Sequence, residues 1–81
     1  MGVTFADLLR QGAARLSEDG LENARGDAKL LLLAAAGFSG SDFILREHDV
    51  VPDDVRASYE AMITRRAERE PVSKILGVVE F

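Results

Sequence analysis

Apolar residues recur at helical spacing along most of this chain, and their pattern predicts four to five helices. From Phe5 to Glu18 the apolar positions share one face of a helix, while charged residues occupy the other face. Thr4 and Asp7 form a capping-box pattern at its start, and Gly20 stands where a left-handed C-cap is expected. Gly12 lies on the apolar side and predicts the close approach of a neighbouring helix.

A second helix is predicted from Ala24 to Ala36, with Asn23 as its cap and Gly37 as its end. Its leucines and alanines extend nearly all round the helix, which predicts a central position in the domain. Asp27 falls in the first turn, where the helix dipole favours an acidic side chain.

The second half of the chain is predicted to continue with a short helix, a loop and a long helix. Ser39 or Ser41 is expected to cap a short helix that ends near Arg46, and residues 48–51 form a loop. Pro52, at the first helical position, is expected to start a long helix that ends near Arg69.

Pro71 ends the long helix and opens a short one from Val72 to Leu76. The last residues, Val78 to Phe81, have the pattern of a beginning strand that lacks a partner. The predicted fold is therefore all-α, a small orthogonal bundle of four to five helices with the stub of a following strand. The same unpartnered stub predicts that the natural protein continues beyond it.

Composition narrows the possible functions. The 81 residues are 47% hydrophobic and 30% charged, which is typical of one folded domain. The longest apolar stretch, 30–38, is too short to span a membrane, and no secretory signal is visible, so we expect a cytoplasmic protein. The chain has no cysteine and a net charge of -4, which exclude thiolate chemistry and argue against sequence-independent nucleic-acid binding.

No residue pattern here is typical of an active site. His48, Asp49, Asp53 and Asp54 form the only cluster of histidine with carboxylates, and their spacing fits no defined metal motif. No nucleophile elbow occurs around any serine. The second and third helices could form a helix-turn-helix, but the third helix is apolar and acidic where DNA contacts need basic and amide side chains. We predict no catalytic, cofactor-binding or metal-binding residue in these 81 residues.

Arg65, Arg66 and Arg69 gather at the end of the long helix and form the most basic patch of the chain. Two interpretations stay open for them: cations that complement the helix dipole, or a contact surface for a partner. Arg66 and Glu70, and likewise Arg56 and Glu60, have the i,i+4 spacing of surface ion pairs. The three arginines are the candidate partner-binding residues.

The segment from Arg65 to Phe81 resembles the junction motif of the HemK (PrmC) family. That motif has two arginines, Glu-Pro four residues on, Tyr-Ile, a glycine and a final Glu-Phe; here Lys74 replaces the tyrosine and the other positions match. The opening of the second helix and the segment after Pro52 are also similar to the family. The resemblance covers essentially the whole chain.

The family resemblance implies an N-terminal domain of a methyltransferase that uses S-adenosylmethionine to modify the glutamine of the Gly-Gly-Gln motif in peptide-chain release factors. Residues 1–76 would be the helical substrate-docking domain, and residues 77–81 would begin a linker or β-hairpin to the catalytic domain. This implies the release factor and the chain's own catalytic domain as partners, with neither nucleic acid nor membrane. S-adenosylmethionine would bind the parent protein but not this segment. A free-standing helical interaction module is the alternative interpretation.

Overall fold

The computed structural model describes residues 2–77, which form five α-helices and no sheet. The helices are α1 (Phe5–Glu18), α2 (Ala24–Ala36), α3 (Gly40–Arg46), α4 (Asp53–Ala67) and α5 (Val72–Ile75). The all-α prediction is confirmed, and the bounds of the first two helices agree with the sequence pattern. The predicted strand at 78–81, and with it most of the predicted linker, lies outside the described residues.

The start of α1 is held by side-chain and backbone partners together. The Thr4 hydroxyl accepts a hydrogen bond from the Asp7 N–H, and the Asp7 carboxylate accepts one from the Thr4 N–H, both at 3.1 Å. The first two helical N–H groups donate to the carbonyls of Asp49 and Glu47 in the loop after α3. Because these N–H groups have no partner inside the helix, the loop contacts complete the capping of α1.

At the other helix ends, most of the predicted caps are observed and one is not. Gly20 and Gly37 are left-handed, as predicted for residues that end helices. Ser39, rather than Ser41, caps α3 through a second capping box. Asn23 precedes α2 as predicted but makes no side-chain cap bond, because its ψ of 45° departs from the extended backbone of a capping residue. Its side chain instead lies over Gly26, where an added Cβ would meet it at 2.6 Å.

The core lies between α1, α2 and α4, and Tyr59 occupies its centre. Tyr59 is 1% exposed, packs onto Gly12 of α1, and donates its hydroxyl hydrogen to the Ala28 carbonyl of α2 at 3.2 Å. The predicted close approach at Gly12 is therefore confirmed. The core also contains Phe5, Leu8, Leu9, Leu16, Leu21, Ala24, Leu31, Leu32, Phe43, Val51, Ile63 and Ile75.

Several details of the helices differ from the sequence prediction. The second helix packs against both α1 and α4, as its predicted central position requires, although Leu30 remains 51% exposed. Pro52 is the cap residue rather than the first helical residue of α4, since its ψ of 148° is extended. Pro71 has the same extended conformation before α5, which ends at Ile75, one residue earlier than predicted.

The chain turns sharply between α2 and α3, which lie at 84° to each other. Within residues 2–77 no single helix is long and apolar enough to cross a membrane. Only α2 and α3 taken together have that length and apolar composition, and the chain bends sharply between them. The sharp crossing agrees with the predicted orthogonal arrangement.

Candidate functional site

The fourth helix ends at Ala67 instead of near Arg69, because the chain turns left-handed there. Arg69 has a φ of 73°, and within residues 2–77 it is the only non-glycine residue with a positive φ. The Arg69 N–H donates to the Arg66 carbonyl at 2.9 Å and the Glu70 N–H donates to the Arg65 carbonyl at 3.2 Å. This is a Schellman motif with arginine where glycine is usual, so Pro71 was the only sequence signal for the end of the helix, and it placed that end two residues too late.

The three predicted arginines do come together at this turn. We call Arg65, Arg66 and Arg69, with the groups that they contact on Asp19, Asp27 and Glu70, the arginine cluster. It joins the end of α4 to the residue after α1, to the first turn of α2, and to the connection that leads into α5.

Arg66 is the most enclosed member of the arginine cluster. Its Nε donates to the Asp27 carboxylate at 3.0 Å, and its Nη1 donates to the Glu70 backbone carbonyl at 3.0 Å. Asp27 is 8% exposed, so Arg66 supplies the charge partner that a nearly buried carboxylate requires. The predicted i,i+4 pair of Arg66 and Glu70 is therefore wrong in its atoms, because the contact uses the Glu70 backbone and not its side chain.

The Glu70 carboxylate pairs with Arg65 instead. This hydrogen bond lowers the pKa of Glu70 below its ordinary value, and it raises the pKa of Arg65. The ion pair lies at the surface, where 44% of the Arg65 side chain remains exposed. A surface pair of this kind contributes little to stability, so its effect is mainly to orient the two side chains.

Arg69 reaches across to the first helix. Its Nη2 donates to the backbone carbonyl of Asp19, the residue that caps α1, at 2.6 Å. A cation at that position complements the negative end of the α1 dipole. The contacts of Arg66 with Asp27 and of Arg69 with Asp19 were not predicted. The available signal for the first was an acidic residue at the start of one helix and arginines at the end of another, where opposite charges attract.

Chemically, the three guanidinium groups of the arginine cluster can hold or orient other groups but do not transfer protons. Guanidinium groups stay charged in proteins and cannot act as general bases. The spare N–H donors of the exposed Arg65 and Arg69 suit carboxylate or carbonyl groups of a protein partner. This arrangement fits binding and positioning of such groups.

A groove of about 380 Å³ lies between α1 and α4. Leu8, Gly12, Tyr59 and Ile63 form its buried floor, while Gln11, Arg15, Glu60 and Thr64 line its rim. The Arg15 guanidinium donates to the Thr64 hydroxyl at 3.1 Å, which ties the two helices across it. Burial raises the pKa of Tyr59, so the only titratable floor residue stays protonated at neutral pH.

The predicted histidine and carboxylate cluster lies at the surface, partly in the loop before α4 and partly in the first turn of that helix. His48, Asp49, Asp53 and Asp54 are all exposed. Within residues 2–77, no group of three or more histidine and carboxylate side chains is arranged to hold a metal ion. The exposed residues of α3 include Ile44 and Leu45, at 67% and 81% exposure, which are apolar side chains without DNA-reading groups.

Taken together, these features define a small all-α domain that carries an internal arginine cluster and suits binding and positioning. The family model described as the PrmC N-terminal domain matches residues 7–77 of this chain. The chain therefore belongs to the PrmC N-terminal domain family.

Relatives support the same assignment. The chain is 45% identical to the release factor glutamine methyltransferase of Agrobacterium fabrum over 67 residues, which cover 83% of this chain and 23% of that protein. It is 44% identical to the enzyme of the same name from Rhodospirillum rubrum over 75 residues, 93% of this chain and 23% of that protein. The corresponding Bifidobacterium longum protein is 37% identical over 98% of this chain and 28% of its own length.

The chain thus spans about a quarter of the length of these relatives. No solved structure gives a significant match.

Proposed function

We propose that this chain is the substrate-docking domain of a protein methyltransferase that modifies the glutamine of the Gly-Gly-Gln motif in peptide-chain release factors. The observation that carries the proposal is the family match over residues 7–77, together with relatives named for that activity. S-adenosylmethionine would be the methyl donor of the whole enzyme, bound outside these residues. The whole enzyme would act in the cytoplasm, without direct contact to nucleic acid or membrane.

In this proposal the helical domain contributes binding energy at a distance from the reacting amide. Such remote contacts hold a substrate in the geometry that the reaction needs, and they lower the barrier only when the substrate is large enough to make them. The ion pairs of the domain agree with this role, because the arginines at the end of α4 are held in place by carboxylate partners while Arg65 stays exposed. Chemistry is left to the domain that would follow residue 81.

Arg65, Arg66 and Arg69 are the proposed contacts to the release factor. Arg65 and Arg69 are exposed while bonded internally, so each can present its remaining N–H donors to carboxylate or carbonyl groups of the partner. Arg66 is more enclosed, and it would act mainly by holding the turn at the end of α4 in place through its bonds to Asp27 and Glu70.

Deletion of the domain tests the proposal. The full-length protein and a variant lacking residues 1–76 would be compared on two substrates: an intact release factor and a short Gly-Gly-Gln peptide. We expect kcat/KM to fall by at least about 100-fold on the intact factor, the scale set by lost orientation, while the value on the peptide changes far less. An equal loss on both substrates would contradict a docking role.

A further inference from the structure

The arginine cluster brings three separate parts of the chain to the last turn of α4. Arg69 reaches the residue that caps α1, and Arg66 reaches the first turn of α2. Arg65 and Arg66 both contact Glu70, the residue immediately before Pro71. These contacts all meet at the point where the chain leaves the three-helix core.

The backbone at Arg69 indicates that its side chain is needed. A left-handed conformation is easiest for glycine, and asparagine or aspartate tolerate it better than other residues. Gly20 and Gly37 occupy the equivalent turn after α1 and α2. At the turn after α4, arginine takes the position that glycine would occupy most easily. Its side chain adds the 2.6 Å bond to the Asp19 carbonyl, which glycine could not make.

The fifth helix depends on this turn for its direction. It is a single turn of four residues with one buried side chain, Ile75, while Val72 and Leu76 are half-buried. So little apolar contact leaves its angle weakly determined. Pro71 has a fixed φ near −62°, so the orientation that the arginine cluster sets at Glu70 passes directly to α5.

From these contacts we propose that the arginine cluster is a positioning device, which fixes the direction in which the chain leaves the helical core. Resting on the proposed function, it would thereby orient the catalytic domain that follows relative to the docked release factor. In this role Arg66 acts through its bond to the Glu70 carbonyl, and Arg69 acts through its bond to the Asp19 carbonyl, which ties the turn to the end of α1.

Substitution at Asp27 separates positioning from direct contact. Asp27→Asn removes the charge that holds Arg66 but leaves all three arginines available to a partner. Arg69→Asn removes the bond to Asp19, and asparagine tolerates the left-handed backbone, so this variant should keep its fold. Arg56→Gln is the matched control, because it breaks an arginine–glutamate pair on the same helix away from the turn.

The first measurement uses this chain itself. Ser58 on α4 and Ser73 on α5 are exposed, and the chain has no cysteine, so cysteines introduced at these two positions carry spin labels without competing sites. Pulsed electron resonance then reports the distribution of distances between α4 and α5. Circular dichroism confirms that each variant keeps its helices.

We expect the distance distribution to broaden or shift in Asp27→Asn and in Arg69→Asn, while Arg56→Gln matches the parent chain. A merely stabilising role would change the unfolding midpoint but leave the distance between the two helices the same. Unchanged distributions in both folded variants would overturn the proposal.

The second measurement uses the full-length enzyme with the intact release factor. Asp27→Asn, which keeps all three arginines, should lower kcat about tenfold with a smaller change in KM, because misorientation affects the reactive geometry more than docking. An effect on KM alone would contradict positioning. Absence of methylation by the parent enzyme would instead refute the proposed function, and the distance measurement on this chain would still decide the role of the arginine cluster.

Discussion

Tyr59 is the residue through which the three core helices are held in register. Its ring lies on Gly12 of α1, and its hydroxyl donates to the Ala28 carbonyl of α2. A buried hydroxyl without a partner would be costly, so this bond, together with the space left by the glycine, determines how the helices cross. Asp27 and Arg66 also join α2 to α4, near the ends of these helices, through an ion pair instead of a hydroxyl bond.

Gly12→Ala should destabilise the domain although alanine is the better helix former. The new Cβ would overlap the Tyr59 hydroxyl and lie 3.1 Å from the Ile63 Cδ1. Overpacking of this kind costs about 1–3 kcal/mol, which outweighs the gain of about 1 kcal/mol in helix propensity. Urea unfolding measures the difference.

Two further variants make this prediction specific. Gly40→Ala, in the first turn of α3 with no atom within 4 Å of the new Cβ, should be neutral or stabilising. In a Tyr59→Phe background the overlap at position 12 is relieved, so Gly12→Ala should cost less there. Equal costs in both backgrounds would contradict the proposed contact.

At the scale of elements, local sequence determined most helix bounds and tertiary contacts determined the exceptions. Capping residues and terminal glycines correctly placed α1, α2 and α3, because those signals act within a few residues. The end of α4 was predicted two residues too late, since Arg69 adopts a left-handed turn without glycine. The contacts of Asp19 and Asp27 with the arginine cluster could not be predicted either, because these residues lie about 40–50 positions along the chain from the arginines that they contact.

The two capping boxes make the stability of α1 and α3 depend on pH. Hydrogen bonds from the backbone N–H of Thr4 and of Ser39 are the main cause that lowers the pKa of Asp7 and Asp42 below 3.8. A carboxyl whose folded pKa is lowered contributes stability above its unfolded pKa and loses it as pH falls through the folded pKa. Stability should therefore decrease below about pH 4.

Asp7→Asn and Asp42→Asn should reduce the part of the acid-induced loss that comes from these caps. The free energy of unfolding, measured in urea at pH 5 and pH 3, gives that loss for each protein. Glu22→Gln, which removes an exposed carboxylate from the loop between α1 and α2, serves as the control. Should the control and the cap variants lose the same amount, the caps are not the source of the pH dependence.

As a whole molecule, the described part of the chain is compact, with a radius of gyration of 12.1 Å, against about 12 Å expected for a folded chain of this length. The sequence predicted its all-α class and most of its core, since these follow from the periodicity of the apolar residues. Which surface meets a partner does not follow from them. The isolated chain is nevertheless suitable for a direct binding experiment, because its core is closed by its own helices.

The most direct test of a docking role is a calorimetric titration of an intact release factor with this 81-residue chain. We expect saturable one-to-one binding, weakened by charge reversal at Arg65 or Arg69 and unaffected by the control Arg56→Glu. Charge reversal at a contacting residue should raise the dissociation constant by about tenfold or more. Failure of the folded chain to bind the intact factor at any accessible concentration would contradict the account.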